Sequence, residues 1–442
     1  MDLYVYFLSF LFIDILLMKK SLLFIAFISI FFVTAQDTYL QCGTILDVAT
    51  GKTVSEKTIV VSANKIKSIQ NGYITGSNAD TVIDLKDKTV LPGLIDMHVH
   101  MESEFNPQSY IKRFTNNEAD VAFESSLNAK KTLMAGFTTV RDLGGSGVNI
   151  SLRNAINKGV VDGPRIFTSG KSLATTGGHA DPTNGMRKDL MGDPGPKEGV
   201  VNSPEDAKKA VRQRYKNGAD VIKITATGGV MSVAKSGHNP QFTLEEIKAV
   251  TSTAKNYGFS VAAHAHGDEG MKLAVLGGVN TIEHGSFMSE ETMDLMIKHN
   301  CYLIPTISAG RQVAEKAKVA GFFPPVVARK ALEIGPIHQA TMAKAYKKGV
   351  PMGFGTDAGV FPHGTNAIEF GYLLESGIPV NESLKAATVI NAKLLDMADQ
   401  LGQLKEGFLA DIIAVEDNPL NNVSTLGNVT FVMKEGVIYK NN

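Results

Sequence analysis

Residues 91–100 read Leu-Pro-Gly-Leu-Ile-Asp-Met-His-Val-His. The run is apolar enough for a buried strand and ends in His98 and His100. Residues two apart on a strand project to the same face, so both imidazoles point one way. Four later runs carry comparable residues. They are ADVIKITATGG (219–229) with Lys223, FSVAAHAHG (259–267) with His264, VNTIEHG (279–285) with His284, and VPMGFGTDAG (350–359) with Asp357. Side chains at the ends of successive strands converge only if the strands are parallel and closed on themselves. These six residues therefore predict an α/β chain, a (β/α)8 TIM barrel with its site at the C-terminal ends of the strands.

Working outward, the same alternation fills residues 91–401. The apolar runs are LIDMHV, TTVRDL, RIFTSG, VIKITA, SVAAHA, TIEHG, YLIPTI and MGFGTD, separated by helix-like stretches such as SLNAKKTLMAGF and TLEEIKAVTSTAKNYGF. Strands alternating with helices imply βαβ units. Ser203-Pro204-Glu205-Asp206 and Thr243-Leu244-Glu245-Glu246 carry helix-start signals: a capping hydroxyl, then an acid three residues on. Residues 36–90 and 402–442 lack helical periodicity and read as short strands with turns. The expectation is a small β-sandwich built from both chain ends, 36–90 and 402–442, beside a barrel over 91–401.

Lys+Arg and Asp+Glu both number 44 in 442 residues, so net charge is zero. That balance excludes an electrostatic case for nucleic acid or an anionic membrane surface. Met18-Lys19-Lys20 followed by SLLFIAFISIFFVTA reads as a signal peptide with cleavage after Ala35. The expectation is a signal segment over 1–35, with translation starting at Met18, and a periplasmic or secreted protein. Contact with the membrane is expected only through that segment. Cys42 and Cys301 are the two cysteines. They lie in distant runs and read as free and structural, and Gln41 argues against lipidation of Cys42.

The chemistry follows from residue types. His98 and His100 at a barrel mouth can bind one cation. Asp96 shares their face and is expected to orient a ligand. Lys223 is the charged residue of an otherwise apolar strand, and a lone buried lysine is costly. A neutral amine there can react with carbon dioxide to form a carbamate whose oxygens bridge two metal ions. Pairing with an acid such as Glu283, or reaching to solvent, would also account for it. His264 and His284 suit a second metal. Asp357 can bind the first metal and relay a proton from the nucleophile to the leaving amine. His266, two residues after His264, is read as a substrate contact or an outlying histidine.

The chain resembles the metal-dependent amidohydrolase superfamily. The hallmarks present are His-x-His after strand one, a lysine on strand four, histidines on strands five and six, and an aspartate on strand eight. GQLKEGFLADIIAVEDNPL near the C-terminus is similar too. Within the superfamily, TTVRDLGG, SLATTGGHAD, KITATGGVMS and AATVINAKLL resemble the imidazolonepropionase-related branch of Xaa-Pro dipeptidases, Arg/Lys carboxypeptidases and ochratoxin-type amidases. One-metal members of that branch lack the strand-four lysine, so Lys223 points to a binuclear enzyme.

The resemblance implies two divalent ions, zinc the expected metal, held by His98, His100, carbamylated Lys223, His264, His284 and Asp357. They would lie about 3.5–4 Å apart and lower the pKa of a bridging water to about 7. The implied reaction is hydrolysis of a dipeptide or N-acyl amino acid by attack of a metal-bridging hydroxide. A lactonase or cyclic-amide hydrolase is the alternative, and a non-catalytic binding protein would have lost ligands. His179 is the first candidate for substrate contact. Lys235, His238, Arg311 and His363 lie on other top-face loops and read as solvated loop residues ahead of substrate contacts, and Arg141–Asp142 as a structural pair that shapes the barrel mouth. A homo-oligomer is compatible with the sequence.

Overall fold

The computed structural model describes residues 36–77 and 80–442. The signal segment expected over 1–35, including the start at Met18, lies outside the described residues. Among those described, no helix is long and apolar enough to cross a membrane.

Fourteen strands are described. The first four are β1 (Thr38–Asp47), β2 (Lys52–Ser62), β3 (Lys65–Asn71) and β4 (Thr81–Pro92). The next seven are β5 (Leu94–Val99), β6 (Phe137–Asp142), β7 (Arg165–Thr168), β8 (Ile222–Thr225), β9 (Val261–Ala265), β10 (Thr281–His284) and β11 (Tyr302–Ile304). The last three are β12 (Ile412–Val415), β13 (Phe431–Lys434) and β14 (Val437–Asn441).

Both chain ends build one outer sheet, in the order β14-β13-β12-β4-β1-β2-β3. The seam is the antiparallel pair β4–β12, with Leu91 opposite Ile413. The sequence predicts a small sandwich from both chain ends; the structure joins both ends in a seven-stranded sheet, which agrees with it in part. Register shifts at Cys42/Thr44, Val60/Val61 and Val432/Met433 interrupt its ladders, and such bulges bend a sheet without splitting it. Alternation along β12 serves two cores. Ile412 and Ala414 join the outer sheet's own core with Leu40, Cys42, Ile59 and Phe431. Ile413 and Val415 pack into the main core with Leu91, Phe137 and Ile222. Cys42 and Cys301 are both free and buried, as the sequence predicts.

The parallel strands form a ring. β5-β6-β7 and β8-β9-β10-β11 are two hydrogen-bonded sheets. Leu173–Ile224, Leu303–Met352 and Val99–Ala358 are parallel bridges that link them through to the start. The eighth apolar run, 352–357, makes the last two of these bridges through Met352 and the adjoining Ala358 without forming a regular strand. Gly355 explains part of this. A Cβ there would lie 2.4 Å from Ile304 and 3.0 Å from the His98 amide nitrogen, so the backbones approach too closely for a side chain. Asn391 laces this gap. Its Nδ2 donates to the carbonyls of Ile95 and Phe354, both at 2.8 Å, and its Oδ1 accepts from the Phe354 amide. It follows a π-helical turn at Ala386–Ile390, and such turns are frequent at functional positions.

The helix starts are as read. Ser203 caps Pro204–Asn217 by accepting from the Asp206 amide. Thr243 and Glu246 form the capping box of Leu244–Asn256.

Candidate metal centre

The six predicted residues meet at the C-terminal mouth of the ring. Lys223 Nζ lies 3.4 Å from His98 Nε2. Asp357 Oδ1 lies 3.5 Å from His98 Nε2 and 3.4 Å from His100 Nε2. The His284 ring centre is 5.0 Å from that of His98 and 4.7 Å from that of His264. Two triads have ligand-type atoms within 4.8 Å of one another: His98, His284 and Asp357, and His264, His266 and His284.

Hydrogen bonds fix which imidazole nitrogen faces the centre. His98 Nδ1 meets the Glu283 carboxylate at 2.9 Å, and His100 Nδ1 meets the Gly144 carbonyl at 2.8 Å. Carboxylates and carbonyls only accept, so both Nδ1 atoms donate and, in the neutral rings, both Nε2 atoms carry lone pairs. His264 is turned the other way. Its Nε2 donates to the Gly228 carbonyl at 3.1 Å, which leaves Nδ1 as the acceptor. His284 Nδ1 bonds Thr306 Oγ1 at 2.7 Å, and His266 Nδ1 bonds Ser286 Oγ at 2.8 Å.

Burial sets the charge states. It pushes His100 down to about 4 and His179 down to about 3, and His98, His264, His266 and His284 well below the ordinary histidine value. The same desolvation pushes Lys223 down toward the neutral amine and Asp357 up toward the acid. Asp357 Oδ1 is buried and has no hydrogen-bond partner.

His98 Nε2, His100 Nε2 and Asp357 Oδ1 converge, and Asp357 Oδ1 is buried without a hydrogen-bond partner. Such a cluster is unfavourable alone and matches what a divalent cation requires of nitrogen and oxygen ligands. The residues fit a metal.

Backbone strain collects here. His284, Thr306 and Asp357 have φ of 76°, 51° and 62°. Left-handed conformations of non-glycine residues cost about 1–3 kcal/mol each and cluster at functional sites. The Asp357 amide is held by the His98 carbonyl at 2.7 Å.

Several side chains depart from their sequence reading. Glu283 orients His98, a role the sequence reading gave to Asp96. Asp96 instead accepts from the His98 and Thr356 amides, Thr356 Oγ1 and Asn366 Nδ2. It therefore holds backbone on both sides of the centre. Arg141 pairs with Glu283 at 2.8 Å, and Asp142 accepts from the Met101 and Gly144 amides and Asn149, so Arg141 and Asp142 are not a pair. His363 is buried, with its Nε2 within 3.2 Å of the His100 and Ser103 carbonyls. It is a strut beneath His100, not a solvated loop residue. Arg311 lies over the Tyr372 ring and bonds Gln339 and Glu375. Lys235 and His238 are exposed. A charged residue inside an apolar strand singled out Lys223; the same signal at Glu283 would have found its role.

The centre opens into a cavity of about 260 Å³. His179 and His266 line it, as expected of substrate contacts, and His179 stacks on His264 at 4.3 Å. The far wall is apolar: Phe105, Val230, Met231, Val313, Ala331 and Ile334.

The amidohydrolase family pattern matches residues 89–439. A crystal structure of a Xaa-Pro dipeptidase with methionine bound in the active site is 51% identical, with a TM-score of 0.89, over 92% of this chain and 100% of that one. A prolidase complexed with N-methylphosphonate-L-proline is 32% identical, with a TM-score of 0.84, over the same shares of each chain. Ochratoxinase from Aspergillus niger is 31% identical over 369 residues, 79% of this chain and 75% of its own length. The chain belongs to the amidohydrolase family, in the branch that holds the Xaa-Pro dipeptidases and ochratoxinase.

Proposed function

We propose that this chain is a two-metal hydrolase of dipeptides or N-acyl amino acids with an uncharged side chain beside the scissile amide. The observation that carries the reading is the convergence of His98 Nε2, His100 Nε2 and the unpartnered Asp357 Oδ1 beside a desolvated Lys223. His98, His100 and Asp357 would hold one ion, and His264 and His284 the other. Zinc is the expected metal. Lys223 would serve both ions as a carbamate: its neutral Nζ would add to carbon dioxide, forming an N–C bond and releasing a proton. When bound, the ions supply a Lewis acid for the scissile carbonyl and a water that ionises near neutral pH.

The protein's own contribution is positioning and proton transfer. Glu283 and the Gly144 carbonyl keep the lone pairs of His98 and His100 turned inward. The Asp357 carboxylate would take the proton of the attacking water and give it to the leaving nitrogen. Burial raises its basicity toward what that relay needs. His179 and His266 contact the substrate.

The lining supports an uncharged substrate side chain. Lys223 and Asp357 are its formally charged members besides the histidines. No carboxylate on the apolar wall could pair a basic side chain, and burying an unpaired charge costs several kcal/mol. The similar dipeptidase with bound methionine is consistent with this. The fold is read as the (β/α)8 barrel over 91–401 with the outer sheet from 36–90 and 402–442, and the N-terminal segment as an export signal to the periplasm or beyond.

The test is a library of Xaa-Pro, Xaa-Arg, Xaa-Lys and N-acyl amino acids, assayed with zinc and bicarbonate and again after chelation. Turnover of apolar amides that chelation abolishes is the expected result. Metal-independent turnover, or turnover of uncharged esters alone, would sink the reading.

A further inference from the structure

Lys330 is buried on the helix Pro325–Lys348, 2% exposed. Its Nζ donates to the carbonyls of Gly229 and Ser232 at 2.7 Å and of Ala234 at 2.9 Å. An ammonium has three donors, and here all three are taken by one loop. Among the described residues no acid forms a salt bridge with it, so carbonyl dipoles alone offset its desolvation. The loop wraps its stem as well: a Cβ on Gly237 would lie 3.2 Å from Lys330 Cδ.

That loop reaches the metal centre through two glycines. The Gly228 carbonyl is the acceptor that turns His264 Nδ1 inward. Gly229 lies against the face of His179, where a Cβ would sit 2.3–2.4 Å from the ring. His179 in turn stacks on His264. Val230 and Met231, between the anchored carbonyls of Gly229 and Ser232, form part of the cavity wall.

We propose that Lys330 is a positioning residue: it fixes residues 228–234 so that Gly228 orients His264, Gly229 seats His179, and Val230 and Met231 close the substrate wall. The inference rests on the reading that His264 and His179 serve the site. It assigns a task to a residue that touches neither metal ligand nor cavity. Removing the ammonium leaves the buried Gly229 carbonyl and the half-buried Ser232 and Ala234 carbonyls without this donor, so the loop moves to find water. Substrate binding then suffers before the chemical step.

The experiment compares wild type, Lys330→Met, Lys330→Arg and Gly229→Ala. Hydrogen exchange of residues 228–240, read without substrate, should speed up about tenfold or more in Lys330→Met while β9 and β10 stay protected. KM for the preferred amide should rise about tenfold, with a smaller change in kcat. Lys330→Arg, which keeps the donors, should restore part of both. Gly229→Ala should raise KM with the ammonium intact by crowding His179, and Lys330→Gln, which keeps two donors, takes the place of Lys330→Met if that variant does not fold. Unchanged exchange in the loop, or a lowered Tm with KM and kcat both unaltered, would overturn the proposal. The exchange measurement stands even if wild type hydrolyses no amide, in which case the proposed function fails by itself.

Discussion

The outer sheet and the mouth of the ring enclose opposite kinds of interior. Toward the outer sheet, Ile412 and Ala414 meet Leu40, Ile59, Phe431 and Met433, an apolar core that asks only for shape. At the ring's mouth the buried groups are His98, His264, His284, Lys223, Glu283, Arg141 and Asp357. Each of these must be neutralised, paired or hydrogen-bonded. The outer sheet is thus held by area removed from water, and the mouth by polar groups that satisfy one another. Stability is the output of the first. The second gives up stability, in left-handed His284 and Asp357, for ligand geometry.

Substitutions should separate the two regions. The largest effect is expected at the mouth. Asp357→Asn removes the proton relay and should cut turnover by about 10²–10⁴-fold, with a Tm close to wild type. Near-normal rates would take Asp357 out of the mechanism. Glu283→Gln comes next. It leaves the Arg141 guanidinium buried without its carboxylate and releases His98 Nδ1. Breaking a buried pair costs about 3–5 kcal/mol, and activity should fall with stability. If urea unfolding shows less than 1 kcal/mol of loss on the same principle, the pair is not what holds the mouth. Phe431→Ala in the outer sheet should cost a comparable or smaller amount, about 3 kcal/mol, as a cavity. Here kcat should remain at the wild-type value, and a large loss of kcat would dissolve the contrast.

Acid sharpens it further. Burial holds His179 at about 3 and His338 at about 4, below the ordinary 6.5. Above pH 6.5 both are neutral in the folded and unfolded chain and contribute nothing to the pH dependence. Below it the unfolded chain takes up protons that the folded chain refuses, so the contribution of these two histidines to stability falls as pH drops from 6.5 toward 4. No histidine lies in the strands of the outer sheet. In metal-free protein, hydrogen exchange at pH 5 relative to pH 7 should therefore accelerate in β9 and β10 beyond the trivial change in intrinsic rate, and not in β1 and β12. Equal acceleration in both would show that burial of these histidines does not set the mouth's acid sensitivity.

Much of this was legible in the sequence because local pattern carried it. Apolar runs closed by His98, His264 or His284 gave strand positions and their end residues together. Ser203 and Thr243 marked their helices through hydroxyl-to-amide geometry that needs only three residues. What escaped depends on contacts far apart in the chain. Glu283 meets His98 across 185 positions. Lys330 meets its carbonyls across about 100 positions from the face of a helix, where a lysine is ordinarily solvated. The run at 352–357 looked like a strand by composition. The close approach at Gly355 and the left-handed Asp357 take it out of a regular ladder. The outer sheet's continuity depended on bulges that single-strand patterns do not encode.

The central claim is that Lys223, once carbamylated, completes a two-metal centre with the five other residues. Zinc content per chain, measured on protein purified with zinc and bicarbonate, tests it most directly. The account predicts two ions in wild type and one or none in Lys223→Ala, with no rescue by added bicarbonate. Two ions per chain in Lys223→Ala, with full activity, would contradict it.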